Sequence, residues 1–346
     1  MKDRTYILLA VFFVILTAFF QLYGRYYIGT GSESPVQNVV ENPAGEEPVK
    51  ILLVGDLMLD RTVRTTIDKK GFEYSFTDIK SIFEGMDLAV GNLEGAITSN
   101  SSLSQKNFNI LKFTFPSSDA RALRDLGFSG FSLANNHALD FGHDGYLETI
   151  TNLGLNDLFY FGSPTNDQNL SSSENIKGQD ICFVGYHSLF VESLSPVVDE
   201  IKRIKPKCDF IVAFAHWGVE YEDYENKDQE REAYALVDAG ADLVVGAHPH
   251  VIQPVEVYRG KAIFYSLGNF IFDQDFSLAT RQGLAVQMEL GGENVTYKFI
   301  PIEMYRNKLS FPDQGLFQPR MNVLTYKLSQ EEKTKMNESM ELILSR

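Results

Sequence analysis

His248 and His250 flank a proline directly after the β-branched run Asp242–Gly246, which reads as a buried strand running into a loop. An extended backbone sends residues i and i+2 to the same side, so the two imidazoles can converge on one point. Pro249 fixes its own φ near −65° and disfavours a helix there. Two imidazoles on a strand-end loop suit a divalent cation. Such a pair alone fits surface histidines as well, so its meaning depends on what gathers around it.

Much else gathers in the same way. Asp56 follows the apolar run Val49–Gly55, and Asn92 and Glu94 follow Asp87–Gly91. Phe128–Leu133 feeds a polar loop with Asn136, His137 and Asp140, and Cys208–Ala215 ends at His216. Ala262–Ser266 is followed by Asn269 in a Gly-Asn turn. Open α/β sheets place their chemistry just beyond the carboxyl ends of buried strands. Each of these residues has an ordinary structural explanation, but their recurrence at strand ends points to one shared site.

The elements that must position them alternate between strand and helix. Helices are expected over Phe76–Glu84, Asp119–Leu126, Gly145–Leu153 and Asp228–Ala239, the last closing at Gly240. Gly162–Gly178 reads as a polar connection, with a strand at Ile181–Tyr186 beyond it. Gly283–Leu290 and Asn294–Ile302 read as an antiparallel hairpin, and Ser329–Leu344 as a final amphipathic helix. The pattern implies an α/β sandwich.

Tyr6–Tyr23 carries no charged residue, and as a helix it would be about 27 Å long, close to a bilayer's hydrocarbon core. Lys2 and Arg4 precede it, and no small-x-small cleavage site is evident after it. The expectation is a signal anchor or transmembrane helix within 1–28 and a Gly, Ser, Glu and Pro-rich linker over 29–48. An extracytoplasmic domain then spans 49–346, held at the cell membrane by a single pass; a cleaved signal peptide is the alternative. Cys182 and Cys208 are expected as buried free thiols, with a single bridge left open by the exported setting. The formal net charge of −15, from 31 Lys+Arg against 46 Asp+Glu, argues against nucleic-acid binding. It also requires that an anionic substrate be drawn in by a local positive centre such as a metal.

With these residues assembled, the chain resembles the capsule-synthesis CapA (poly-γ-glutamate biosynthesis, PgsA-like) family, related to calcineurin-like metallophosphoesterases. The resemblance rests on GDLMLDR (55–61), NLEGAI (92–97), LANNHALDFG (133–142), AHWGVEY (215–221), DAGADLVVGAHPHV (238–251) and YSLGNFIF (265–272). It implies a four-layer α/β/β/α sandwich and a divalent-metal site (Mn, Fe, Zn or Mg). Asp56, Glu94, Asn136, His216, His248 and His250 would be the ligands. His137 would act as general acid and Asp140 would orient it or cap the next turn. Arg61 would meet an anionic substrate or a carboxylate neighbour, and Asn269 would lie near the site. The chain departs from the phosphoesterase pattern at Met58, where a histidine ligand is usual, and at Asn92, where an aspartate is usual. His187 is expected to be a local hydrogen-bonding residue, Trp217 either a core anchor or a substrate platform, and the acidic run Glu220–Glu225 a solvated loop.

Two functions are expected. One is a membrane-anchored protein of poly-γ-glutamate capsule synthesis or export with a metal-dependent hydrolase site, partnered by the bilayer through residues 6–23. The other is a non-catalytic accessory subunit of a membrane polymer synthetase or export complex.

Overall fold

Val49–Leu57 is apolar at nearly every position because both of its faces are covered. Ile51 and Leu53 point into one hydrophobic core, and Leu52 and Val54 into another. The computed structural model describes residues 47–189 and 193–346. The expected anchor over 1–28 and nearly all of the expected linker over 29–48 lie outside the described residues. No helix among the described residues is long and apolar enough to cross a membrane.

Val49–Leu57 lies mid-sheet in a nine-stranded sheet. On one side it pairs in parallel with Leu88–Leu93, which leads on to Gly130–Ser132 and Phe159–Phe161. On the other it pairs antiparallel with Gln282–Gly291, the first arm of a hairpin returning as Asn294–Tyr305. A second sheet has six strands, and its centre is parallel: Gln179–His187, Phe210–His216, Leu243–Ala247 and Lys261–Phe264.

The two sheets pack face to face. Ile51, Leu53, Val90 and Phe161 meet Phe183, Val212, Phe214 and Val245 in one core. Helices Arg61–Lys70, Ser118–Leu126 and Gly142–Gly154 cover the outer face of the first sheet, contributing Val63, Leu123 and Tyr146. Ser195–Ile204 and Lys227–Ala239 cover that of the second with Ile201 and Leu236. The result is a four-layer α/β/β/α arrangement. Lys227–Ala239 shows how local sequence sets an element: Asn226 and Gln229 form a reciprocal capping box at its start, and Gly240 (φ 125°) closes it.

Several expectations need correction. Cys182 and Cys208 are not free thiols but form a disulfide with Cα atoms 5.9 Å apart. Parallel pairing of Ile181 with Phe210 and Cys182 with Ile211 brings the two cysteines together. Phe76–Glu84 is not an α-helix; two 3-10 segments, Phe72–Ser75 and Thr77–Phe83, occupy this region. The supposed connection 162–178 contains the edge strand Ser171–Ile176, whose half-exposed polar side chains hide it in the sequence. The terminal helix is Gln330–Ser339 only. Met340 turns left-handed (φ 57°), and Glu341–Ser345 adds to Asn294–Lys298 as an outer strand, burying Leu342. Trp217 is a core anchor: it is fully buried, with its Nε1 donating to the Tyr265 carbonyl at 2.9 Å.

Candidate metal centre

Strand register brings the polar strand ends together. Asp56 lies beside Asn92 on one neighbour and Asn269 on another, and Ala247 lies beside His216. Close backbone approach makes this possible. A Cβ on Gly55 would fall 1.9 Å from the Gly268 carbonyl oxygen, and one on Gly246 would fall 1.9 Å from that of Tyr265. His248 and His250 both take positive φ (94° and 59°), an uncommon conformation for non-glycine residues. The loop is held from outside, with the His248 amide donating to Asp56 Oδ2 (3.1 Å) and the Tyr221 amide to the Pro249 carbonyl (2.8 Å).

Asp56 and Glu94 are fully buried, and His216, His248 and His250 nearly so. Asp56 Oδ2 is 3.3 Å from His250 Nδ1. Burial alone would raise the Asp56 pKa, but the hydrogen bond and charge of His250, with donors from Asn92 and the His248 backbone, bring it below the usual carboxylate range. Glu94 goes the other way: burial, then the charge of Asp56, holds it well above that range. Burial, then neighbouring His248, keeps His216 well below the ordinary imidazole value. His248 is pushed down to about 3, by burial and then by His250. Neutral imidazoles are the form that ligates metal.

His137 Nδ1 is 2.9 Å from Asp140 Oδ2, which also accepts from the Phe113 amide at 2.7 Å. With Nδ1–H donated to Asp140, Nε2 faces the site, 3.8 Å from Glu94 Oε1. Asn136 Oδ1 is 2.8 Å from His216 Nε2. Asn269 Oδ1 accepts from His250 Nδ1–H (3.0 Å), and its Nδ2 donates to the Thr280 carbonyl at 3.0 Å. Arg61 is held by Asp273 through Nε (2.9 Å) and Nη2 (2.8 Å), beside the Phe108 and Phe113 rings. His187 sits next to His216 with ring centroids 5.8 Å apart and its Nδ1 on the Pro164 carbonyl. Met58 is a core side chain.

The buried donor set fits a cation. Among the described residues Glu94 Oε1 and His248 Nδ1 are buried without a hydrogen-bond partner, an expensive state for atoms with free lone pairs. Glu94 Oε1 is 3.7 Å from His250 Nε2. That is close to the ~3.4 Å separating two ligands of one tetrahedral metal at ordinary bond lengths. Two groups have ligand atoms all within 4.8 Å of one another: Glu220, His248 and His250, and Asp56, Glu94 and His216. The sequence alone did not single out Glu220, which looked like part of a solvated acidic run. The legible signal was position: the loop leaving His216 must lie beside the loop leaving Ala247, because their strands are paired in register. Asn135 was missed too; it is fully buried and donates to Asn92 Oδ1 (3.0 Å) and the Leu93 carbonyl (2.9 Å).

Residues 50–274 match the family model described as bacterial capsule synthesis protein PGA_cap. The chain belongs to this family. Within it, the PGA biosynthesis protein CapA of Bacillus subtilis (strain 168) is 33% identical over 274 residues, covering 73% of this chain and 70% of that one. The capsule biosynthesis protein CapA of Bacillus anthracis is 32% identical over 268 residues, covering 70% and 64%. Among solved structures, a putative 5'-nucleotidase from Staphylococcus aureus is similar at TM-score 0.42 and 12% identity, over 80% of this chain and 58% of that one. The matched span of this PGA_cap chain contains every candidate site residue, from Asp56 to Asn269.

Proposed function

We propose that this chain is a membrane-anchored, outward-facing protein of poly-γ-glutamate capsule synthesis or export, and that its strand-end cluster is a divalent-metal hydrolase site acting on a phosphoester. The observation that carries the catalytic part is the buried Glu94 Oε1. It lacks a hydrogen bond and lies 3.7 and 3.8 Å from the Nε2 atoms of His250 and His137. The anchored part rests on the uncharged segment 6–23, and the Cys182–Cys208 bridge fits an oxidising compartment.

Glu94, Glu220, His248 and His250 would hold the cation. A divalent ion there would supply Lewis-acid polarisation of a phosphoryl oxygen and a water acidic enough to ionise near neutrality. The protein's own groups do the rest. Asp140 fixes the His137 ring so that Nε2 faces the reacting centre, where it delivers a proton to the leaving oxygen. Buried walls on both sheets exclude bulk water and strengthen each electrostatic contact.

The test is metal analysis of the full-length protein together with hydrolysis of a generic phosphomonoester and phosphodiester under added Mn²⁺. His250→Ala should lose metal and activity. His137→Ala should keep metal and lose about 10²–10⁴-fold in kcat. A wild type that retains no metal and turns over neither ester would remove the hydrolase part and leave an accessory subunit of a polymer synthetase as the reading.

A further inference from the structure

Asn92 sits where the two sheets meet, and its side chain has one orientation that satisfies its neighbours. The His137 amide donates to Asn135 Oδ1 at 3.0 Å, so the Asn135 NH₂ lies on the other side of that side chain. There it donates to the Leu93 carbonyl (2.9 Å) and to Asn92 Oδ1 (3.0 Å). Two backbone groups thus settle the Asn135 amide, and Asn135 settles that of Asn92. The Asn92 NH₂ must therefore face the opposite way. It lies 2.8 Å from Asp56 Oδ1, 3.4 Å from Glu94 Oε2 and 3.3 Å from His216 Nδ1.

Those three residues are one of the two groups whose ligand atoms converge within 4.8 Å. An amide nitrogen in contact with all three already supplies the partial positive charge that a cation would bring. Its two protons are shared among three acceptors. Turning the amide over would set its oxygen against two carboxylates and its NH₂ against that of Asn135. The other group, Glu220, His248 and His250, has no such plug. His248 Nδ1 in that group is an orphan on a nearly buried residue; Glu94, which meets Asn92 through Oε2, leaves its orphan Oε1 3.7 Å from His250 Nε2.

We propose that the Asn92 carboxamide occupies the Asp56–Glu94–His216 position, so that the chain binds one divalent cation, at Glu220–His248–His250 with Glu94 Oε1 beside them, and that replacing the amide by a carboxylate opens a second position. This rests on the metal-binding reading above and specifies its stoichiometry. Asn92→Asp has the same shape, keeps an acceptor for Asn135, and exchanges the donor for a lone-pair oxygen among Asp56, Glu94 and His216.

The experiment is Mn²⁺ binding by equilibrium dialysis on the full-length protein, with electron paramagnetic resonance of the loaded samples. Wild type should take up one Mn²⁺ per chain and give the signal of an isolated ion. Asn92→Asp should take up two and show exchange coupling between them. Glu220→Ala should weaken the wild-type site at least tenfold. Two Mn²⁺ per wild-type chain would overturn the proposal while leaving the metal reading intact, and none would overturn both. One Mn²⁺ per chain in folded Asn92→Asp, or undiminished affinity in Glu220→Ala, would also overturn it. If Asn92→Asp folds only with metal, preparing it in Mn²⁺ gives the same count, and the wild-type stoichiometry stands as an independent test.

Discussion

Reducing the Cys182–Cys208 bridge should cost this protein a predictable amount of stability. The cysteines are 26 residues apart, and their strands are already parallel neighbours in the six-stranded sheet. The native state therefore needs little help from the bond, which acts mainly by shrinking the unfolded ensemble. A loop of that length removes about 12 cal/mol/K of chain entropy, or ~3.5 kcal/mol at 25 °C. A folded unit of about 300 residues unfolds with an entropy near ~0.6 kcal/mol/K, so the melting temperature should fall by about 5–6 °C. Calorimetry with and without a phosphine reductant measures this. A Cys182→Ala/Cys208→Ala variant should melt at the reduced temperature and ignore the reductant. Equal melting temperatures for oxidised and reduced wild type, or two thiols titrating in denatured, unreduced protein, would refute the reasoning.

The packing sets further outcomes. Gly246→Ala places a Cβ 1.9 Å from the Tyr265 carbonyl oxygen and 2.7 Å from Trp217 Nε1, both fixed in the core; urea denaturation should show a loss of about 1–3 kcal/mol or more. Lys327 is mostly buried between Glu225, Glu230 and Glu256 at 2.7–2.8 Å, so Lys327→Met should cost ~3–5 kcal/mol by leaving carboxylates without their cation. Lys327 holds Glu230 below its ordinary value, so that contribution is present above the unfolded carboxylate pKa and fades as pH falls; Lys327→Met should flatten this part of the stability–pH curve. Burial raises Tyr186 to about 12 and pushes Tyr265 and Tyr297 higher still. These tyrosines stay protonated in the fold while the unfolded chain ionises near ~10, so stability is full below that pH and falls above it, by up to ~1.4 kcal/mol per pH unit for each. Circular dichroism melts from pH 9 to 12 would show the decline.

The layered fold was legible because buried parallel strands are continuous apolar runs, and the residue that ends such a run is placed by the sheet itself. Asp56, His216 and His248 could be read in this way without knowing which strand neighbours which. Pairing was harder. The Cys182–Cys208 bond, the part played by Glu220 and the tie between Asn135 and Asn92 depend on strand order and register, which no local window contains. Glu341–Ser345 escaped notice because its Leu-Ile-Leu core continues a helical-looking segment. Only the exposed edge of Asn294–Tyr305 selects the strand. Asn92 was legible as a departure from a pattern, but the direction of its amide was not. The Leu93 carbonyl, at the end of one strand, and the His137 amide, on the loop after another, fix it through Asn135.

Ownership of the site is divided between the layers. Asp56, Asn92, Glu94 and His137 are supplied by the nine-stranded sheet and its loops; His216, His248 and His250 come from the six-stranded one. The interlayer core is apolar and non-directional, so it resists separation of the layers better than it resists their sliding over one another. The polar cluster adds directional contacts between them, such as Asn136 Oδ1 with His216 Nε2 and Asp56 Oδ2 with His250 Nδ1, as a clasp holds the two covers of a book. A ligand gripping both halves must let go before the layers can part, and at a hundredfold excess over Kd it adds ~2.7 kcal/mol to that separation. Occupancy would then be recorded in amide exchange deep along Phe183–Tyr186 and Ile51–Val54, well away from the residues that touch the ligand.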